Sequence, residues 1–566
     1  MIPVGALGMV AILVVGLAAH LGCLDSTFYL DDWVQILNSP NVEGGRWYEQ
    51  RFRALTTLSY FLTWRAFGFS ASWFHLFNLV LHLAGALAIY LIGPALLRIG
   101  KEPLCGSRAS RVAWLAALLF VAHPLTTEIT NYARARDHGL VGFFSFLAAG
   151  LTAIAVQRGS RWLAAAALSV VLASFSKDPG LPHALLSVAL VVTATSSSEA
   201  RCRLIPSRRV AYLLVTLAIL AGFALAANVV DLAKIFYRQV LGDWRFGLHA
   251  LTQGRVFWSY VSLWLWPWNR LCSDHLVAWT KSSADLESWF AVSALAALVL
   301  LVAWLWLRGR QPWALLAALA LGAVGLRMLY VASELMVEYR AYPALPYVAL
   351  LAALGLDHLA RHRRRFAAIF TTALVAAWAV GSFLRSEDWS APDRIRHQVL
   401  RRYPWQLRAI NGLSAEDNRV GRWQEVLNRH EDFLQRLAAV LAENNRNSLR
   451  YYENWPLWAV TEDTLVAEAL LHVRGHEAAR QHLEAARHRM LANRIEEKML
   501  IREWHFYAGL VEAAEKPDLA RFHFLEALYG WRDWEARKRL QELEPALSPS
   551  FGSRPLHESG HPIYED

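Results

Sequence analysis

The chain has 566 residues, is 55% hydrophobic, contains 25 Trp and has a mean hydropathy of +0.25. That is too apolar for a soluble protein of this size, and repeated long apolar runs place it among polytopic membrane proteins. A formal charge of +10 would suggest nucleic acid in a soluble protein. Here the basic residues sit in short loops between apolar runs, so the charge reports topology and no nucleic-acid partner is expected.

The first apolar run, 4–24, has no basic leader and reads as a retained signal-anchor helix. The polar segment 25–72 follows, carrying the tandem Asp31-Asp32 and the cluster Arg51-Phe52-Arg53. A second span, about 73–97, ends in Arg98, Lys101, Arg108 and Arg111, the mark of a cytoplasmic loop. A third run ends at His123-Pro124, and the polar stretch 125–138 leads to a span that closes on Arg158 and Arg161. Two shorter runs, 162–175 and 182–195, flank Ser176-Lys177-Asp178-Pro179. After a basic loop with Arg201, Arg203, Arg208 and Arg209, residues 210–230 read as a span. The run 256–268 is short of the roughly 20 residues a spanning helix needs. Treating it as re-entrant keeps Arg308-Gly309-Arg310 and the 361–365 arginine cluster in the cytoplasm. Spans at 289–307, 313–332, 342–357 and 366–383 bring the expected total to about eleven.

Composition changes near residue 385: long apolar runs stop and charges of both signs rise. The stretches LLHVRGHEAARQHLEAA (470–486) and LVEAAEKPDLARFHFLEAL (510–528) each read as helix, tight turn, helix. They suggest a degenerate tetratricopeptide-like array, with an irregular helical domain as the plainer alternative. The expected fold is all-α, with a polytopic membrane domain over 1–384 and a soluble helical domain over 385–548. The tail 549–566, rich in Gly, Pro and His, reads as extended. Four scattered cysteines show neither a disulfide framework nor metal-ligand spacing.

The expected topology gathers Asp31, Asp32, Glu128, Arg134, Arg136, Lys177, His275, Glu338 and Arg340 on the non-cytoplasmic face. Ionisable groups at membrane level are candidates for function. A carboxylate beside another is hard to ionise fully, so one member can serve as a general base. Cations such as Arg136, His138, Lys177, His275 and Arg340 can stabilise a departing phosphate. Plainer readings exist for each: Asp31-Asp32 caps a helix, Lys177 snorkels, and Glu338 pairs locally with Arg340. His75, His82 and His123 are read as helix-packing residues, and no divalent metal is expected.

Six segments carry a resemblance. They are FYLDDWVQILNSPNV (28–42), RALTTLSYFLTWRAFGFSASWFHLFNLVLHL (53–83), HPLTTEITNYARAR (123–136), SKDPGLP (176–182), PWNRLCSDH (267–275) and VEYRAYPALP (337–346). In this order they resemble transmembrane and tetratricopeptide-repeat-containing O-mannosyltransferases and their bacterial relatives, within the GT-C glycosyltransferase superfamily. The resemblance implies a polyprenyl- or dolichyl-phosphate sugar donor and inversion at the sugar carbon, with catalysis by Asp31 and Asp32. It implies that Glu128, Arg136, Lys177 and Arg340 line the phosphate and acceptor pocket, and that the repeats face an extracytoplasmic protein acceptor. Relatives usually place a small residue and then an acid after the arginine; here Asp137 and His138 follow Arg136, and Asp178 follows Lys177 where Glu is usual. The expected placement is a bacterial inner membrane with a periplasm-facing site. Rival readings are a lipid or glycan acceptor, en bloc oligosaccharide transfer, a lipid-carrier transporter, or an assembly scaffold.

Overall fold

The computed structural model describes residues 5–50, 53–195, 204–205, 211, 246–268, 271–273, 275, 277, 280, 282–328, 334–404, 406–443, 455–492, 498–528 and 533–543. All but residue 211 of the expected span at 210–230, and the tail 549–566, lie outside the described residues. Every regular element among the described residues is helical, as the all-α reading expects. They form two compact units, Met1–Gln398 and Val399–Asp566.

The first unit contains α1 (Ala6–His20), α2 (Ala54–Phe67), α3 (Ala71–Leu96), α4 (Gly106–Ala122), the short α5 (Thr127–Asn131), α6 (Arg136–Arg158), α7 (Arg161–Ser174) and α8 (Gly180–Ala194). Further along come α9 (Phe246–Leu265), α10 (Leu286–Leu307), α11 (Trp313–Met328), α12 (Leu345–His362) and α13 (Arg364–Asp388). Among the described residues six helical segments are long and apolar enough to cross a membrane: Ala6–Asp25, Ala71–Leu96, Ala133–Arg158, Leu286–Leu307, Glu338–His362 and Arg364–Asp388. A seventh arises if α4 and Pro124–Asn131, bent by 55°, are one span. The bend falls where His123 is extended before Pro124, the conformation a following proline favours.

The count among the described residues is below the expected eleven partly because the span at 210–230 lies almost wholly outside them, and partly for a physical reason. The apolar helices Arg161–Ser174, Gly180–Ala194 and Trp313–Leu326 have only 10–17 residues. At 1.5 Å per residue, a helix of about 15 residues reaches about 23 Å, short of a hydrocarbon layer of roughly 30 Å. Most of the run read as re-entrant, 256–268, is the C-terminal half of α9, which begins earlier at Phe246 and ends at Leu265.

Burial separates inner from outer helices. The Ala133–Arg158 segment is 78% buried over its apolar window, whereas Leu286–Leu307 is 11% buried. α10 therefore leaves Phe290, Leu300, Leu301 and Trp304 exposed, and α13 leaves Phe366, Ile369 and Val380 exposed. Apolar faces of that extent are the faces lipid would cover. α6 reaches the centre because small residues allow close approach: a Cβ on Gly142 would stand 3.2 Å from the Cα of Pro343. His82 and His123 are buried packing groups, as expected. His82 Nδ1 lies 3.1 Å from the Tyr342 hydroxyl, and His123 Nε2 lies 3.1 Å from the Trp264 carbonyl.

The compositional boundary at 384/385 lies inside the first unit. Arg385, Ser386 and Trp389 are buried there against Glu338, Asn131 and Tyr29. Polarity rises where α13 leaves the apolar layer, ahead of the edge of the compact unit.

The second unit holds α14 (Leu407–Arg419), α15 (Trp423–Glu443), α16 (Trp455–Arg474), α17 (His476–Ala492), α18 (Lys498–Glu512), α19 (Pro517–Glu526) and α20 (Asp533–Leu543). Both stretches singled out in the sequence are helix–turn–helix. Gly475 closes α16 with φ +90°, a left-handed conformation that suits glycine, and Pro517 opens α19. Leu465, Ala469, Leu483, Phe506, Val511 and Phe524 belong to the core between the pairs.

Candidate active site

Four polar connections of the first unit meet at one place: the loop after α1, the α4–α6 connection, the α7–α8 turn and the Glu338–Ala344 segment. The start of α2 ties in the α7–α8 turn. Leu55 N–H donates to the Phe175 carbonyl at 2.9 Å, and the Thr56 hydroxyl donates to the Ser176 carbonyl at 2.8 Å. Two unusual backbone features flank the aspartates. Leu30 is left-handed, with φ +45°, which costs a side-chain-bearing residue about 1 kcal/mol. Trp33–Leu37 is a single π-turn, in which Asn38 N–H donates to the Trp33 carbonyl at 2.8 Å. Such turns occur often at functional sites.

The structure splits the tandem. Asp32 is fully buried, and each of its oxygens accepts a backbone N–H: Tyr29 at 3.0 Å and Arg134 at 2.7 Å. Asp31 is 45% exposed at its side chain, and its Oδ2 lies 3.0 Å from Arg134 Nε. Its N–H donates to the Tyr132 hydroxyl at 3.2 Å. Asp32 thus anchors the loop to the α4–α6 connection, and Asp31 is the member open to solvent. Burial pushes the Asp32 carboxyl up to about 7, against the pull of the two amide donors and the Arg134 charge.

Arg134, the partner of Asp31, also lines a narrow cleft with Gln35, Gln50, Arg53, Thr57 and Asp137, among others. Asp137, absent from the sequence-derived candidates, is the counter-ion of the cluster. Its Oδ2 is 2.5 Å from Lys177 Nζ and 3.8 Å from Arg134, and its Oδ1 is 2.7 Å from His138 Nδ1. Lys177 and His138 are therefore brought together with the aspartates. The ring of Tyr339 closes the group, 4.5 Å from the His138 ring centroid and 5.9 Å from Lys177 Nζ.

Arg136 occupies a different place. It is fully buried below the cleft, with Nε donating to Asn78 Oδ1 at 2.8 Å. The Ser59 hydroxyl accepts from it at 3.0 Å and the Phe74 carbonyl at 2.9 Å, while Phe77 and Tyr60 pack on the guanidinium. With its donors engaged by neutral acceptors, it binds α2, α3 and α6 together. Arg136→Met is expected to lower unfolding stability by about 3 kcal/mol, since it strands several buried acceptors at about 1–3 kcal/mol each. Chemical denaturation in detergent measures that loss.

Three other candidates form an adjoining cluster. Glu338 Oε1 accepts from Cys272 N–H at 2.5 Å and lies 2.9 Å from His275 Nε2; its Oε2 lies 2.7 Å from Arg385. Glu128 accepts the Tyr339 N–H at 2.7 Å. Tyr339 is thus the hinge between the two groups, its backbone on Glu128 and its ring on His138. Arg340 turns away to the Glu334 carbonyl and carboxylate. Arg53 and Arg134 are the cations at the cleft. The sequence contained both, but its signal gave no reason to prefer Arg134 to Arg136.

Part of the chain is similar to a known protein. It is 25% identical over 195 residues to a Caenorhabditis elegans protein named as a protein O-mannosyl-transferase. The match covers 31% of this chain and 27% of that protein, so the chain spans about a quarter of the relative's length. It supports a glycosyltransferase relationship at the level of the family. No family model and no solved structure matches the chain.

Proposed function

We propose that this chain is a membrane glycosyltransferase. In this reading it moves one sugar, with inversion, from a polyprenyl-phosphate carrier to a Ser or Thr hydroxyl of an extracytoplasmic protein. The observation that carries the proposal is the half-exposed Asp31 carboxylate held 3.0 Å from Arg134, which together with Arg53 lines a neighbouring cleft. Asp31 takes the proton of the acceptor hydroxyl as its oxygen attacks the anomeric carbon. The phosphate leaves from the opposite face, towards Arg134 and Arg53, which stabilise its charge. Lys177 and His138, gathered on Asp137, border the same space, and Glu128, Glu338 and His275 hold Tyr339 beside it. The outer apolar helices face lipid and leave the prenyl chain in the membrane. The basic loops favour a bacterial inner membrane with this face towards the periplasm. The paired helices of the second unit, read as a tetratricopeptide-like array, bind the acceptor.

Glycan mass spectrometry of extracytoplasmic proteins, with wild type and Asp31→Asn at matched membrane expression, tests the reading. A single-sugar mass present only with wild type is expected. A change confined to the lipid fraction would move the acceptor to a lipid, and no change in either fraction would remove the transferase reading.

Asp32 sets a pH dependence with opposite signs for turnover and stability. Ionised Asp32 accepts both amide N–H groups; protonated Asp32 gives up one acceptor and loosens the Arg134 connection. Transfer is therefore expected to rise with pH through about 7. Because the folded carboxyl binds its proton more tightly than the unfolded one, its stabilising contribution runs the other way. That contribution is full below the ordinary carboxylate range and is lost as pH rises through about 7. Initial rates and thermal unfolding between pH 5 and 9 check both limbs.

A further inference from the structure

The second unit contains a polar cluster that sugar transfer does not use. His430 on α15, Asp463 on α16 and His482 on α17 each present one ligand atom, all within 4.8 Å of one another. Glu462 lies beside the group, its Oε1 3.5 Å from His430 Nδ1. The two imidazole rings stand nearly perpendicular, with centroids 5.7 Å apart.

Hydrogen bonding does not account for this arrangement. His430 Nδ1, His482 Nε2 and Glu462 Oε2 are buried and have no hydrogen-bond partner. His482 Nε2 lies 3.3 Å from Asp463 Oδ1 without a bond forming between them. The carboxylates are well inside, with side-chain exposures of 1% for Glu462 and 7% for Asp463. Buried polar atoms without partners are costly, and a cation between them would satisfy nitrogens and oxygens together. The remaining bonds orient the ligands. Arg489 grips Asp463 Oδ2 at 2.7 and 2.6 Å, leaving Oδ1 towards the histidines, and the Ser414 hydroxyl reaches Glu462 Oε1 at 3.4 Å. Outer contacts of this kind fix ligands at metal centres.

We propose that His430, Asp463 and His482 bind a zinc ion that pins α15, α16 and α17 together, with the Glu462 carboxylate beside His430. Two imidazoles with a carboxylate suit zinc, which leaves its fourth position to water; calcium and magnesium prefer all-oxygen sets. The ligands come from three helices, so the sequence shows no spacing motif.

The test uses the full-length protein in detergent, stripped with a chelator and re-equilibrated with zinc chloride. One zinc per chain is expected by elemental mass spectrometry, with a thermal midpoint that rises on zinc addition. His430→Gln and His482→Gln, made separately, should abolish both the retained zinc and the rise. His505→Gln is the control: its Nδ1 sits 2.9 Å from His523 Nδ1, the other close histidine pair described in this unit. That variant should keep the zinc. Cobalt chloride on the stripped wild type should give the visible bands of a tetrahedral site. Wild type without bound zinc, zinc indifferent to both ligand variants, zinc lost in the control, or no cobalt bands would each overturn the proposal.

Discussion

Asp31→Asn is expected to lower sugar transfer by about 10²–10⁴-fold, the usual contribution of a positioned general base, while the protein still folds. The structural cost of the change is small. Asp31 is half exposed, and an exposed ion pair is worth about 0–1 kcal/mol. Its backbone bond to Tyr132 does not depend on the side chain. Asparagine keeps an oxygen that can face Arg134 but loses the basicity that removes the acceptor proton. The loss should therefore fall on kcat, with the donor KM little changed. Asp32→Asn behaves differently: both Asp32 oxygens accept backbone N–H groups, and asparagine has one acceptor. Its expected cost of about 1–3 kcal/mol in stability accompanies any loss of turnover. Rates with a polyprenyl-phosphate sugar and a Ser/Thr peptide, read beside denaturation curves, separate the pair. An Asp31→Asn enzyme that kept a tenth of wild-type turnover would remove Asp31 as the base.

The tandem was legible because two adjacent acids directly after an apolar run have few plain explanations. Which of them stays accessible was not legible. That depends on Leu30 taking a left-handed conformation and on the π-turn at Trp33–Leu37, neither of which the residue types favour. The long apolar helices were legible for the same reason that membrane helices generally are: their composition is dictated by the solvent they face. The shorter ones were not, since α7 and α8 are apolar but their length alone does not make them spans. Partners distant in sequence were the hardest to see. Arg385 falls where the composition turns polar and reads as the start of another domain, yet it neutralises Glu338 in the first unit. Asp137 read as a departure from the family pattern, but it is the group on which Lys177, His138 and Arg134 converge.

Arg134→Gln is the second large effect expected, a fall of about 10²–10³-fold in transfer with the fold retained. The segment Ala133-Arg134-Ala135-Arg136 presents two arginines that the sequence cannot rank, and the structure gives them separate work. Arg136 points into neutral acceptors and aromatic faces, where its charge is spent on holding three helices. Arg134 anchors through its backbone N–H on Asp32, a bond that survives any side-chain change. Its guanidinium is left beside Asp31 and the cleft, 3.8 Å from Asp137, so in the proposed reaction substitution removes charge from the departing phosphate while the backbone bond still holds the loop. Lys177 offers no such clean test, because its removal strands the buried Asp137 and destabilises by about 3–5 kcal/mol. Arg134→Lys should recover only part of the activity, since an ammonium supplies a point charge where guanidinium gives a planar fork matched to phosphate oxygens. The expected ranking in kcat/KM is wild type, then Arg134→Lys, then Arg134→Gln, at equal thermal stability. If Gln and Lys were equally active, phosphate stabilisation would have to come from cations other than Arg134. If the Gln variant unfolded, Arg134 would be a structural residue like its neighbour Arg136.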